Sequence, residues 1–107
     1  MTTHSNEPFS ERWRLAAMNW VELDGAARWL EDSKSSVFSQ QLLLLGDVPV
    51  TRAEHQVRAS VEWRAYIAKM DHARTAANEA KVERDYLYMR YWQQNSHEAN
   101  MRKEISL

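Results

Sequence analysis

The chain predicts an all-α fold: a long antiparallel helical hairpin, coiled-coil-like, with a short connecting helix, assembling into an oligomeric helical bundle. Only two Gly and two Pro interrupt 107 residues, too few for the frequent turns of an all-β domain. Neither occurs from Val61 to Glu104, where Ala, Glu, Lys, Arg, Met and Leu favour helix at nearly every position. Upstream, apolar residues recur at alternating three- and four-residue steps from Trp13 to Leu44, which lines them along one helix face. A chain of this length forms one domain, 1–107.

The elements follow in order. Residues 1–9 are polar and expected to be disordered. Ser10 is placed to cap a first helix over 11–45, its hydroxyl accepting a backbone N–H that the first turn leaves unpaired. Gly25 and the serines at 33, 35 and 36 are weak points in it, and an i,i+4 ladder of Asp24, Arg28 and Asp32 bridges the first. Gly46, followed by Asp47 and Pro49, ends the helix. Thr51 and Glu54 have the spacing of a capping box for a short helix over 52–59. Ser60 then caps the long second helix, 61–104.

A helix of about 40 residues is about 60 Å long, whereas a compact globule of this size has a diameter near 34 Å. An elongated hairpin is therefore expected. On the first helix Trp13, Trp20, Ala27, Leu30 and Phe38 share one side, while Leu15, Met18 and Trp29 lie nearly opposite. One partner helix covers one side only, so the spare side predicts a dimer or larger assembly. Folding about residues 46–60 sets Leu45 against Trp63, Leu30 against Ala77 and Trp20 against Tyr88. Trp13, Trp20, Trp29, Tyr88, Tyr91 and Trp92 are the candidate oligomer or partner interface, by virtue of their aromatic area.

Chemistry is sparse. Without Cys there is no disulfide, thiol nucleophile or thiolate metal site. His4, His55, His72 and His97 lack the spacing that puts two ligands on one helix face. Glu79 and Glu83 are an i,i+4 carboxylate pair best read as solvated surface, and two glycines cannot build a phosphate-cradling loop. The expectation is a protein that is no enzyme and has no cofactor, metal or small-molecule substrate. The start, MTTHSNEPF, has neither a basic segment nor a long apolar one, and the longest aliphatic run is Leu42 to Leu45. No membrane association and a cytoplasmic location are expected.

The net charge is −1, with the basic excess in the second half. Arg64, Arg74, Lys81 and Arg84 are the candidate nucleic-acid contacts, since a row of cations along a helix can follow a phosphate backbone. Against this, Glu54–Arg58, Asp71–Arg74, Lys81–Asp85 and Glu98–Arg102 all have the spacing of intrahelical ion pairs.

The stretches ARWLEDSKSSVFSQQ (26–40), PVTRAEHQVRAS with EW (49–63) and KVERDYLYMRYWQQNSHEANMR (81–102) resemble small helical proteins encoded by tailed phages and prophages. The resemblance spans most of 20–107 and contains no catalytic motif. It implies an accessory protein of a bacterial host cell's cytoplasm, acting by self-association and binding in DNA replication or recombination. The partners it suggests, besides a second copy, are DNA or a DNA-processing protein. The alternatives are an inhibitor that occupies the surface of a host or defence protein, and a virion or assembly component.

Overall fold

The computed structural model describes residues 8–106, and the expected disorder of 1–9 falls outside it up to residue 7. Among the described residues there are three helices and no strand: α1 (Phe9–Leu44), α2 (Val50–Ala59) and α3 (Val61–Ser106). α3 is a single helix of 46 residues, as the absence of Gly and Pro predicts. α1 likewise runs unbroken through Gly25 and the serine cluster. At Gly25 an added Cβ would meet nothing within 4 Å, so this glycine costs backbone entropy without disturbing the helix.

The helix ends combine expected and unexpected devices. Gly46 adopts φ +75°, the left-handed conformation, and its N–H reaches Leu43 O at 3.2 Å. Ser60 serves two helices. Its hydroxyl donates to Val57 O (2.6 Å), closing α2, and accepts from the Trp63 N–H (3.1 Å), opening α3. The other two expected caps are corrected. α1 begins at Phe9, with Pro8 O accepting from the N–H groups of Glu11 and Arg12 (both 3.1 Å), which puts Ser10 inside the helix. α2 begins at Val50 behind Pro49, whose carbonyl accepts from Ala53 N (2.9 Å), and no side chain caps it. In both cases a proline stands immediately before the helix. Its fixed φ suits a helix entry, and each helix starts one residue before the serine or threonine.

The chain packs as two units, residues 23–76 and residues 1–22 with 77–107. In the first, the second part of α1 and the first part of α3 run antiparallel. Phe38 meets Trp63 edge-on at 5.0 Å, and Tyr66 donates its hydroxyl to Leu30 O. α2 folds back against them, burying Ala53 and Val57 with Ala27, Leu30 and Trp63 and laying the Arg58 guanidinium 5.1 Å over Phe38. In the second unit, the start of α1 and the rest of α3 are also antiparallel. Trp13 meets Tyr88 at 5.7 Å, and Ala77, Ala80 and Leu87 are buried.

These pairings correct the expected register. Trp63 faces Phe38 rather than Leu45, and Tyr88 faces Trp13 rather than Trp20. Both partners lie seven residues earlier in α1. The connector is itself a helix that doubles back, so α3 starts level with Phe38 and not with the end of α1.

Candidate functional site

In the 23–76 unit the dominant polar feature is Arg74. Asp24 and Glu31 lie two turns apart on α1, on one face, and Arg74 reaches both from α3. Its Nε and Nη2 donate to the two Glu31 carboxylate oxygens, and Nη1 donates to Asp24 Oδ1, all at 2.8 Å. Arg28, one turn along α1, donates to the other Asp24 oxygen. Asp24 is the buried charged residue among those described. The Arg74 hydrogen bond, then that of Arg28, holds its carboxyl below the usual carboxylate range, and Arg74 does the same to Glu31. In return the two carboxylates raise the Arg74 pKa further. Carboxylates held ionised and saturated with donors are poor proton shuttles. The cluster ties the second part of α1 to the first part of α3.

Arg74 therefore does not pair with Asp71 as its spacing suggests. A bidentate contact across helices offers its planar guanidinium better geometry than a same-helix neighbour. As a nucleic-acid contact it would first have to leave two carboxylates. Arg64 is exposed on the first turns of α3. In the other unit Lys81 is exposed, and Arg84 lies 4.4 Å over the Trp20 ring and donates to Asp85 (2.8 Å). Asp85 thus pairs with Arg84 in place of Lys81. The four candidate cations fall two in each unit, and two of them are already engaged.

A cleft of about 480 Å³ in the 23–76 unit lay outside the sequence expectations. Lys34, Ser35, Ser39 and Arg58 line it above Phe38 and Trp63, a wall rich in donors. Arg58 belongs to it because it lies over Phe38 and forms no ion pair with Glu54. Lys34, Ser35, Phe38 and Ser39 share a face of α1, but only the return of α2 brings Arg58 to them.

The aromatic candidates separate by unit. Trp13, Tyr88 and Trp92 form one run, with Tyr88 to Trp92 at 6.3 Å, and Tyr91 is half-buried nearby in sequence. Tyr88 and Trp92 nonetheless stay 44% and 53% exposed. Trp29, in the other unit, is 69% exposed. The two-sided character of α1 is visible in each unit by itself. Trp13 and Trp20 are half-covered while Leu15, Met18 and Val21 are exposed, and Ala27 and Leu30 are buried while Trp29 is exposed.

Among the described residues no group of three or more His, Asp or Glu side chains could hold a metal ion, and no helix is long and apolar enough to cross a membrane. Comparison with protein-family models, curated proteins and solved structures finds no match.

Proposed function

We propose that this protein acts by binding, through association with itself and with a protein partner along apolar faces that its own fold leaves uncovered. One observation carries the reading. Among the described residues eight hydrophobic side chains are buried, none of them both large and fully enclosed, while sixteen large hydrophobic residues are exposed. Scattered exposed apolar residues are ordinary, but a set twice as numerous as the core is the signature of an interaction surface. The resemblance to phage and prophage proteins supports an accessory role in DNA replication or recombination, with a DNA-processing protein as the partner. Direct DNA contact would rest on Arg64 and Lys81, because Arg74 and Arg84 already have partners. The exposure of Trp29 and Trp92 favours the second reading, attachment to a host or defence protein.

Light scattering on the full chain at two concentrations tests the core of the proposal. A mass above that of the 12.6 kDa monomer, rising with concentration, is expected. A monomer mass at both refutes self-association. A gel shift at about 50 mM salt, where phosphate contacts are strongest, separates the nucleic-acid reading from the protein one.

A further inference from the structure

We infer that the cleft between Lys34 and Arg58 binds a small phosphate monoester, its phosphate on the donors and its organic body against the rings. This goes beyond the self-association proposed above and does not depend on it. It names a ligand and assigns no reaction. A small molecule is not expected from the sequence, because Arg58 joins the cleft only through the return of α2. Lys34 with Phe38, and Ser35 with Ser39, form two i,i+4 rows side by side on α1. α2 adds Arg58, and the first turn of α3 adds Trp63. The volume, about 480 Å³, is that of a small-ligand site.

Every polar side chain lining the cleft can donate a hydrogen bond, and no carboxylate is among them. Trp63 is the one that most needs an acceptor. It is 8% exposed, yet its indole N–H donates to no group among the described residues. A buried tryptophan N–H ordinarily has a partner, and without one it bears the cost of its lost hydration. Lys34, Ser35 and Ser39 likewise have no side-chain hydrogen bond or ion pair among the described residues. The acids nearest the two cations along the helices do not neutralise them. Glu31 lies one turn from Lys34 on α1, but both its oxygens accept from Arg74. Glu54 lies one turn from Arg58 on α2, and the guanidinium rests 5.1 Å over Phe38 instead.

The donor set selects the ligand. A phosphate monoester carries about −1.5 to −2 charges near pH 7 and three strong acceptor oxygens. It balances Lys34 and Arg58 together, and the planar fork of Arg58 suits two of its oxygens at once. The serine hydroxyls and the indole N–H remain for the others. A carboxylate or a phosphate diester brings a single charge and leaves one cation over. Phe38 and Trp63, meeting edge-on at 5.0 Å, give the cleft an apolar wall that strengthens charged hydrogen bonds and receives the rest of the molecule.

Nitrogen-15 NMR of the full chain reads the site directly, since Trp63→Phe identifies the Trp63 indole signal among the five tryptophans by deleting it. Phenyl phosphate, dimethyl phosphate and benzoate are titrated at constant ionic strength. Phenyl phosphate should shift the Trp63 signal saturably, with an affinity about tenfold or more above that of the other two. Lys34→Gln and Arg58→Gln should each weaken it by about tenfold or more. Lys69→Gln removes an exposed cation of α3 outside the cleft and should leave it unchanged. Circular dichroism checks that each variant keeps its helix content. Equal affinity for dimethyl phosphate overturns the assignment and gives the cleft to a nucleic-acid backbone. Equal affinity for benzoate overturns it in favour of an acidic protein partner. No Trp63 shift at about 10 mM phenyl phosphate, or equal weakening by Lys69→Gln, also overturns it and leaves only a solvated basic surface.

Discussion

The two units are built from the same two helices, yet they are held differently. In residues 23–76 α1 and α3 are joined by polar contacts of fixed direction: the Arg74 clamp on Asp24 and Glu31, and the Tyr66 hydroxyl on Leu30 O. A third helix covers part of the seam, and Phe38, Trp63 and Tyr66 pack in sequence. In the other unit two ion pairs among the described residues lie within one helix, Arg14 with Glu11 and Arg84 with Asp85. The cross-helix contacts there are rings and cations over rings, namely Trp13 with Tyr88, Arg84 with Trp20 and Arg90 with Phe9. Ten of the sixteen exposed large hydrophobic residues belong to this second unit. Directional bonds specify one partner and one register, whereas aromatic and apolar faces tolerate several. One unit is tied across its helices by directional contacts, and the other leaves more of its large apolar side chains uncovered.

The largest effects should come from the two buried leucines, and they should differ in reach. Leu87 and Leu30 are 4% and 7% exposed, and truncating either to Ala should cost about 2–5 kcal/mol. In Leu87→Ala the unit around it loses the one large aliphatic side chain buried among its described residues. Its amides should then exchange rapidly while those of 23–76 remain protected. Leu30→Ala should open 23–76 first. Hydrogen exchange read residue by residue along α1 and α3 decides the matter, and simultaneous loss of protection in both units would erase the contrast.

Removing the clamp should have a smaller effect. Arg74→Met keeps the stem but leaves Asp24 and Glu31 without their main donor, so the melting temperature should fall by less than in Leu30→Ala. Acid sharpens the test. Asp24 and Glu31 have folded-state pKa values below their ordinary 3.8 and 4.5. Their stabilising contribution is therefore complete above those ordinary values and fades as pH falls through the lower folded ones. Melting measured from pH 6 downwards should show this acid loss in the parent chain and a shallower one in Arg74→Met. Equal slopes would mean that Arg74 is not what favours the ionised forms of Asp24 and Glu31.

Much of this fold is legible in the residues themselves, and the part that is not has a physical cause. α3 is written in the lack of Gly and Pro, and Ser60 and Gly46 mark their turns because each supplies a local need, a cap acceptor and a left-handed φ. The two sides of α1 follow from spacing along a single helix. Register does not. The expected pairs Leu45–Trp63 and Trp20–Tyr88 are each displaced by seven residues from Phe38–Trp63 and Trp13–Tyr88. A shift of seven is two helical turns and returns nearly the same face to the partner, so hydrophobic periodicity barely distinguishes the two. What separates them is Arg74 finding Asp24 and Glu31, an interaction between helices that no spacing within α3 reveals. For the same reason the Lys34–Arg58 cleft stays invisible until α2 is known to fold back.

Single-residue caps rank next. Ser60→Ala removes the acceptor for Trp63 N–H and the donor to Val57 O, and should cost about 1 kcal/mol, within the usual 0.5–2 kcal/mol for a lost cap. The damage should be confined to 23–76, where both helix ends lie, and denaturant melts should show it without a change in slope. A fall in slope would indicate that the α2–α3 junction stays partly ordered in the unfolded chain.

The smallest expected change is a gain. Gly25 lies in a continuous helix on an exposed stretch of α1, its φ is not left-handed, and an added methyl meets nothing within 4 Å. Gly25→Ala should therefore stabilise by about 0.5–1 kcal/mol, chiefly by restricting the unfolded chain. Measured by denaturant melting at low protein concentration, the gain reports on the isolated chain alone. If it vanishes or reverses as concentration rises, a neighbouring backbone must come close enough to need the missing side chain. An apolar face with a glycine in it would then be a docking groove as well as an uncovered surface. If the gain holds at every concentration, Gly25 is simply a tolerated weakness, and no second backbone closes on this part of α1.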